Sequence, residues 1–264
     1  MFAHRYAAFD ATLRRELAEH RLNRFLHVHL TLCALAGLLP LFTPDAAERS
    51  VPAWTMQAVL YCLSLSALLL GLSSAHGDAD EFPVLFTQPV GRAAWLAGKS
   101  AALAALLVPA SLLLIAPAVL LDGLTALLPV VAAAAAGVCV AFAMLGLAIG
   151  LWVRDNVRGL LVALGTWFTL LCGIDLALLA VSGSGWVQAH PEVWVAPVML
   201  NPLSALRVTM MFALEGTAAA SLGSGAIVGW WLGHGVLWLA ALTMAWIAGL
   251  FGLGVLGARR RLDP

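Results

Sequence analysis

The chain has 264 residues, of which 62% are hydrophobic and only 11% are charged, and its formal net charge is zero. Soluble globular domains carry roughly 25% charged residues, so this composition excludes a water-soluble surface and is typical of a chain that faces lipid. The balanced charge also excludes the strongly basic field that nucleic-acid-binding proteins use.

The first 24 residues predict an amphipathic helix. Apolar residues recur every three or four positions on one face, whereas arginines and acids fill the other. The apolar positions are Phe2, Tyr6, Phe9, Leu13 and Leu17. Such a helix lies in the headgroup plane of a membrane, and we interpret residues 1–24 as an interfacial helix. The alternative is a helix that packs on a soluble partner.

Six stretches are apolar and long enough to cross a bilayer as helices, which takes roughly 20 residues. They cover residues 25–42, 54–75, 94–121, 126–153, 159–182 and 227–256. We therefore predict an all-α, polytopic membrane protein. Residues 1–264 form one transmembrane domain, with the six-helix bundle at 25–256 and a tail at 257–264.

The basic residues predict the orientation of these spans. Cytoplasmic segments retain Lys and Arg, and all but two of the 14 basic residues fall in segments on one side of the predicted membrane. The exceptions are Arg49 and Arg207. Both termini lie on the basic side, so we predict a cytoplasmic N-terminus and C-terminus.

The longest predicted cytoplasmic loop, residues 75–91, contains a short helix. Three acids followed by a proline suit its first turn; they are Asp78, Asp80 and Glu81, before Pro83. Phe82, Leu85 and Phe86 then share one face. An exposed apolar face of this kind predicts a docking site for a partner protein.

The connection between the fifth and sixth spans is broken by prolines at 191, 197 and 202. Between the breaks, residues 203–214 fit a helix that is too short to span. We predict a re-entrant or interfacial hairpin on the outer side, which contains Asn201, Pro202 and Arg207.

No pattern for catalysis or nucleotide binding is present. Gly98-Lys99-Ser100 lacks the glycine that a phosphate loop needs five positions before the Gly-Lys pair, because Ala93 stands there. We interpret Lys99 as an anchor that extends to the headgroups. If the protein uses ATP, a separate chain hydrolyses it, and we predict no enzyme activity and no cofactor for this chain.

Asp175 lies inside the fifth span, where a carboxylate costs on the order of 3 kcal/mol. It therefore either lines a substrate path or makes a structural hydrogen bond near the outer end. The histidines, cysteines and methionines predict no metal site. His27 and His29, for example, lie on different faces of one helix, and the four cysteines show no paired spacing.

This layout resembles the membrane subunit of type-2 ABC exporters. Arg-Arg-Glu-Leu at 14–17 resembles the elbow helix of that family, and Phe-Pro-Val-Leu-Phe-Thr-Gln-Pro-Val at 82–90, followed by Arg92 and Gly98-Lys99, resembles its coupling helix. Together with that coupling segment, Asp-Leu-Ala-Leu-Leu at 175–179 and Leu-Asn-Pro-Leu-Ser-Ala-Leu-Arg at 200–207 are most similar to permeases of nitrous oxide reductase maturation. The segment 76–81 departs from the family pattern, which has more basic residues there.

The resemblance implies a homodimer in the bacterial inner membrane that pairs with two cytoplasmic ATPase subunits and meets a periplasmic partner. ATP-driven movement would then support copper-site maturation or export another cargo. Two other classes stay open: a membrane anchor or scaffold that does not transport, and an ion-coupled carrier. The carrier is disfavoured because Asp175 is nearly alone among acids inside the spans.

Overall fold

The computed structural model describes residues 2–42, 50–78, 91–181, 183–190, 192–214 and 226–260. Helices account for 92% of these residues, and no strand occurs among them. The described part of the chain therefore confirms the all-α prediction.

The described helices follow one another in chain order. They are α1 (Phe2–His20), α2 (Arg24–Leu38, continued by a 3₁₀ turn at Leu39–Phe42), α3 (Val51–Gly77), α4 (Arg92–Asp122), α5 (Leu127–Trp152), α6 (Asn156–Val181), α7 (Gly185–Ala189), α8 (Glu192–Leu200), α9 (Pro202–Val208) and α10 (Ala226–Arg260). Three of them contain or continue into a π-helical turn, at Val59–Leu63 in α3, Thr169–Gly173 in α6 and Thr209–Leu214 after α9.

Six of these helices, α2 to α6 and α10, are long and apolar enough to cross a membrane. The described residues therefore confirm the six predicted helices of span length, although several extend beyond their predicted ends. The α4 helix, for example, continues to Asp122 and ends at Gly123, which has a φ of +80°. Glycine adopts this left-handed conformation without a steric penalty, so it ends the helix there.

The C-terminal ends of α3, α5 and α10 meet at one end of the bundle. We call it the basic end, because most basic residues of the sequence fall in segments on this side. His76 near the end of α3 donates from Nε2 to the Val153 carbonyl after α5 at 3.0 Å. Trp152 of α5 donates to the Leu253 carbonyl of α10 at 2.9 Å, and the Arg260 guanidinium lies 4.5 Å from the Trp152 ring centroid. These contacts hold α3, α5 and α10 together at this end.

The α3 and α5 helices pack backbone against backbone. Small residues repeat every four positions on both helices: Ala67, Gly71 and Ala75 on α3, and Gly146 and Gly150 on α5. A Cβ atom on Gly71 would overlap the carbonyl of Ala143, and one on Gly146 would overlap that of Leu68. Small-residue repeats of this kind let membrane helices approach closely, so α5 forms the centre of the bundle.

The α8–α9 hairpin packs against α6 and α10. Trp238 and Trp246 of α10 donate to the carbonyls of Met199 and Leu200 at 3.0 and 3.1 Å. Asn201, at the turn of the hairpin, donates from Nδ2 to the Leu170 carbonyl at 2.6 Å. Leu170 belongs to the π-helical turn of α6, so the amide satisfies a carbonyl at an irregular point of that helix.

The prolines of this region behave differently from one another. Pro202 occupies the first turn of α9, as the predicted helix at 203–214 requires, because proline lacks only a donor that is unpaired there anyway. The predicted break at Pro197 is wrong, since Pro197 lies inside α8. Proline is tolerated in membrane helices because neighbouring groups satisfy the carbonyl it leaves.

Other predictions are not tested by these helices. Phe82, Leu85 and Phe86, the predicted docking face, lie outside the described residues. The interfacial position of α1 and the re-entrant position of the hairpin also stay predictions.

Candidate functional site

A cluster of charged side chains is buried at the basic end, where α1, the end of α3 and α4 meet. Lys99 donates from Nζ to Glu16 Oε1 at 2.6 Å and to Asp78 Oδ2 at 2.8 Å. Each of the three side chains is at most 2% exposed. We call Glu16, Asp78 and Lys99 the buried triad.

Gly98 allows α1 to reach Lys99. A Cβ atom at Gly98 would lie 2.8 Å from the Phe9 carbonyl oxygen and 2.8 Å from Thr12 Cβ, so α1 crosses α4 directly over this glycine. Thr12 and Glu16 are one turn apart on the buried face of α1. The Gly-Lys pair is therefore a helix-crossing motif, in which glycine permits contact and lysine supplies the charge.

The prediction that Lys99 extends to the headgroups is wrong, because α1 covers it. Asp78, predicted to lie in the first turn of the docking helix, is not exposed, and the helix itself lies outside the described residues. Asp78 follows the last residue of α3, is buried, and accepts a further hydrogen bond from Arg15 Nη2 at 3.2 Å. The segment 79–90 thus starts at a residue that is fixed by α1 and α4.

A second set of polar groups surrounds the triad. Ser74 of α3 donates to Glu16 Oε2 at 3.3 Å, and Arg15 donates from Nε to Glu19 Oε1 at 2.6 Å. These side chains line a cavity of about 220 Å³ between α1, α3 and α4. The cavity is polar and borders the triad, so its water would contact the buried charges.

The described side chains around this cavity include three carboxylates and two basic groups, a guanidinium and an ammonium. The carboxylates belong to Glu16, Glu19 and Asp78, and the cations to Arg15 and Lys99. Burial raises the pKa of Glu16 above its ordinary value; the nearby Lys99 opposes this effect and Asp78 reinforces it. The site therefore favours the protonated form of Glu16 more than water does.

Carboxylate oxygens of Glu16, Glu19 and Asp78 lie within 4.8 Å of one another, which is close enough to share a metal ion. Lys99 and Arg15 already form ion pairs with these carboxylates, so we assign no metal to them.

His20 lines the same cavity. It donates from Nδ1 to the Glu16 carbonyl at 2.8 Å, and its buried Nε2 has no hydrogen-bond partner among the described residues.

The predicted residues at the far end of the bundle form two further contacts. Asp175 Oδ2 accepts a hydrogen bond from Arg207 Nη1 at 2.6 Å, which joins α6 to α9. The two side chains are 45% and 29% exposed, respectively. Asn201 Oδ1 accepts from the backbone N–H of Leu203, and both Asn201 and Pro202 are buried. The ion pair fits the structural role for Asp175, and a place on a substrate path stays a prediction.

Sequence reasoning missed Glu16 as the partner of Lys99. Two signals were available: a lysine and glycine inside an apolar stretch, and a polar repeat at Thr12, Glu16 and His20. Neither signal identifies the partner, because the two charges are 83 positions apart in the chain.

Comparison with known proteins gives no relative for this chain: no protein-family model matches it, and no curated protein is significantly similar to it. Function is therefore inferred from the arrangement of the described residues.

Proposed function

We propose that this chain is the membrane-spanning permease subunit of an ATP-driven ABC transporter whose ATPase is a separate cytoplasmic chain. In this proposal, the basic end faces the cytoplasm of a bacterial cell and the bundle lies in the inner membrane. The observation that carries the proposal is the buried triad, which joins α1, α3 and α4 next to residues 79–90.

A permease of this kind must transmit force from a soluble motor to its spans. Residues 79–90 connect Asp78, held by the triad, to Gly91 at the start of α4. The α3 helix in turn packs on α5 through Gly71 and Gly146. Packed interiors are hardly compressible, so a displacement of 79–90 would reach the centre of the bundle.

The motor would dock on the apolar face predicted at Phe82, Leu85 and Phe86. Burying such a side chain against a partner is favourable by roughly 1.5–3 kcal/mol. An ATPase that binds these three residues would push on both α3 and α4 at once, in the manner of a hinge or shear transition.

A second copy of the chain would cover α6. Only 11% of the α6 span is buried within the chain, compared with 72% of the α5 span. The α6 helix also carries a small-residue repeat at Gly165, Thr169 and Gly173, and a Cβ atom on Gly165 would meet nothing within 4 Å. Elsewhere in the bundle such repeats are filled by a neighbouring helix, which supports a homodimer.

Contacts of the hairpin support a re-entrant position and a substrate path beside it. The Asn201–Leu170 bond lies about 21 Å from the start of α6, at 1.5 Å per residue, which is roughly half its length. Beyond it, Asp175 pairs with Arg207 but keeps 45% exposure, which suits a water-lined path better than a surface that faces lipid. The sequence resemblance favours copper-site maturation of nitrous oxide reductase, with a periplasmic partner, as the process that the transporter serves.

The docking proposal is tested by purifying the tagged chain from its native membranes. We expect no ATP turnover by the isolated chain, and turnover when the ATPase co-purifies. Leu85→Glu should release the ATPase while the spans still insert. Leu22→Glu is a matched control at the basic end, since Leu22 is 88% exposed and off the docking segment. Wild-type ATPase stoichiometry in Leu85→Glu would contradict the proposal.

The orientation is tested separately by accessibility of epitope tags in intact spheroplasts. Tags at Met1 and Pro264 should both be protected from external protease, because cytoplasmic segments retain basic residues. A tag at Gly183 should be cleaved. Cleavage at only one terminus would contradict an even number of crossings.

A further inference from the structure

A groove between α2, α3 and α6 opens at the basic end, beside the triad but on another part of the α3 surface. Its volume is about 380 Å³, within the range of roughly 300–1,000 Å³ for ligand pockets. Phe25, Leu69, Leu72 and Leu160 form its apolar walls, and His76 and Asn156 are among its polar residues.

The polarity of the groove changes along the bundle axis. His76 and Asn156 lie in the last turn of α3 and the first turn of α6, at the basic end. Leu160 lies one turn deeper in α6, and Leu69 about 12 Å from the end of α3. A polar mouth and an apolar interior follow the order of a lipid headgroup and acyl chain in one leaflet.

The groups at the mouth favour an anionic headgroup. Arg24 is exposed and precedes Phe25, which lines the groove, at the start of α2, and Asn156 at the start of α6 offers a side-chain amide. The neighbouring Asp155 is engaged as the N-cap of α6, where Oδ1 accepts from the Arg158 backbone N–H at 2.7 Å. His76 uses its Nε2–H for the Val153 carbonyl, so its Nδ1 is an acceptor and the donors for a headgroup come from Arg24 and Asn156.

We propose that this groove binds an anionic phospholipid of the surrounding membrane. The phosphate would lie near the Asn156 side-chain amide with Arg24 as its counter-charge, and one acyl chain would lie along Leu69 and Leu160. The proposal requires that the chain lie in a bilayer, but it is independent of transport and of any ATPase.

Native mass spectrometry of the detergent-purified full chain tests the site. The probes are phosphatidylglycerol and phosphatidylcholine with identical acyl chains, and we expect the first to bind about tenfold more tightly. Leu160→Trp should fill the groove and weaken phosphatidylglycerol binding about tenfold, as losing burial of about two methylenes would. Leu161→Trp is the matched control, because Leu161 is 64% exposed on the same helix and does not line the groove.

A second pair of variants tests the headgroup without changing the packing. Arg24→Gln should reduce phosphatidylglycerol binding to the level of phosphatidylcholine, whereas Arg21→Gln should leave it unchanged. Equal binding of the two lipids by the wild type would overturn the proposal, as would equal effects of the two tryptophan variants. If Leu160→Trp lowers the fraction of dimer and leaves lipid binding unchanged, the groove belongs to an interface between copies and the lipid proposal is overturned.

Discussion

Ion pairs join distant parts of this chain at both ends of the bundle, and those at the two ends differ in burial. Lys99 binds Glu16 and Asp78 in an almost fully enclosed site. Arg207 binds Asp175 at an equally short distance, but both side chains keep substantial exposure. Geometry alone would rank the pairs as equal, whereas their surroundings separate them.

The difference follows from what replaces each contact when it breaks. Around the triad, three packed helices leave each charged side chain at most 2% exposed, so a charge that loses its partner stays buried, at a cost of roughly 3–5 kcal/mol. At the far end, exposed groups exchange one partner for another, and such pairs contribute roughly 0.2–1 kcal/mol. We infer that the basic end is rigid and the far end adaptable.

Lys99→Met should have the largest effect. It leaves Glu16 and Asp78 as adjacent buried carboxylates, so we expect a loss of roughly 3–5 kcal/mol and a melting temperature lower by roughly 10 °C in detergent. The measurement is thermal unfolding of the purified chain.

Arg14→Met is the matched control for Lys99→Met. It also removes one positive charge at the basic end, but Arg14 pairs with Asp10 on the surface of α1 with 79% of its side chain exposed. Its melting temperature should change little. If both variants lose the same stability, burial does not distinguish the triad from an ordinary surface pair.

The spans were predictable because their signal is local. Length and apolar composition identify α3, α5 and α6 without any knowledge of their neighbours. The start of α9 was also predictable, since a proline at the first helical position is a local signal. Pro197 was not, because its tolerance inside α8 depends on surrounding groups.

The buried triad was not predictable because its signal is tertiary. Lys99 near the end of an apolar stretch favours an anchor that reaches water, unless another helix covers it. Acids before Pro83 likewise predicted the first turn of a helix, and nothing in that local pattern indicates that α1 encloses Asp78. The small-residue repeats at Gly71 and Gly146 are different, because such a repeat indicates in the sequence that another helix packs closely there.

Arg207→Gln should have a small effect on stability, in contrast to Lys99→Met. We expect a loss of roughly 0.2–1 kcal/mol, because Asp175 can bind water or another partner. A double-mutant cycle with Asp175→Asn isolates the pair from other consequences of each substitution. A coupling energy above roughly 3 kcal/mol would mean that the far end is as enclosed as the triad.

Glu16→Gln should have the smallest effect on stability at neutral pH. Whether it stabilises or destabilises the protein should depend on pH. The glutamine carbonyl still accepts a hydrogen bond from Lys99, and Asp78 remains as the counter-charge. Because the cavity has three carboxylates for two cations, removing one negative charge balances it. This substitution therefore differs from Lys99→Met, which increases the excess of negative charge.

The raised pKa of Glu16 determines the direction of that pH dependence. A carboxyl group whose folded pKa is above the unfolded value binds its proton more tightly in the folded state. Its contribution to stability is therefore full below the ordinary value of 4.5 and is lost as the pH rises through the raised value. Glutamine does not titrate, so the wild type should lose stability relative to Glu16→Gln over this range. Melting curves of both proteins from pH 4 to 8 measure the difference, with Glu19→Gln as the control, because the Glu19 side chain is 48% exposed. A wild type that gains stability over Glu16→Gln as the pH rises would show that Lys99 outweighs burial and that the triad is held by its full charges.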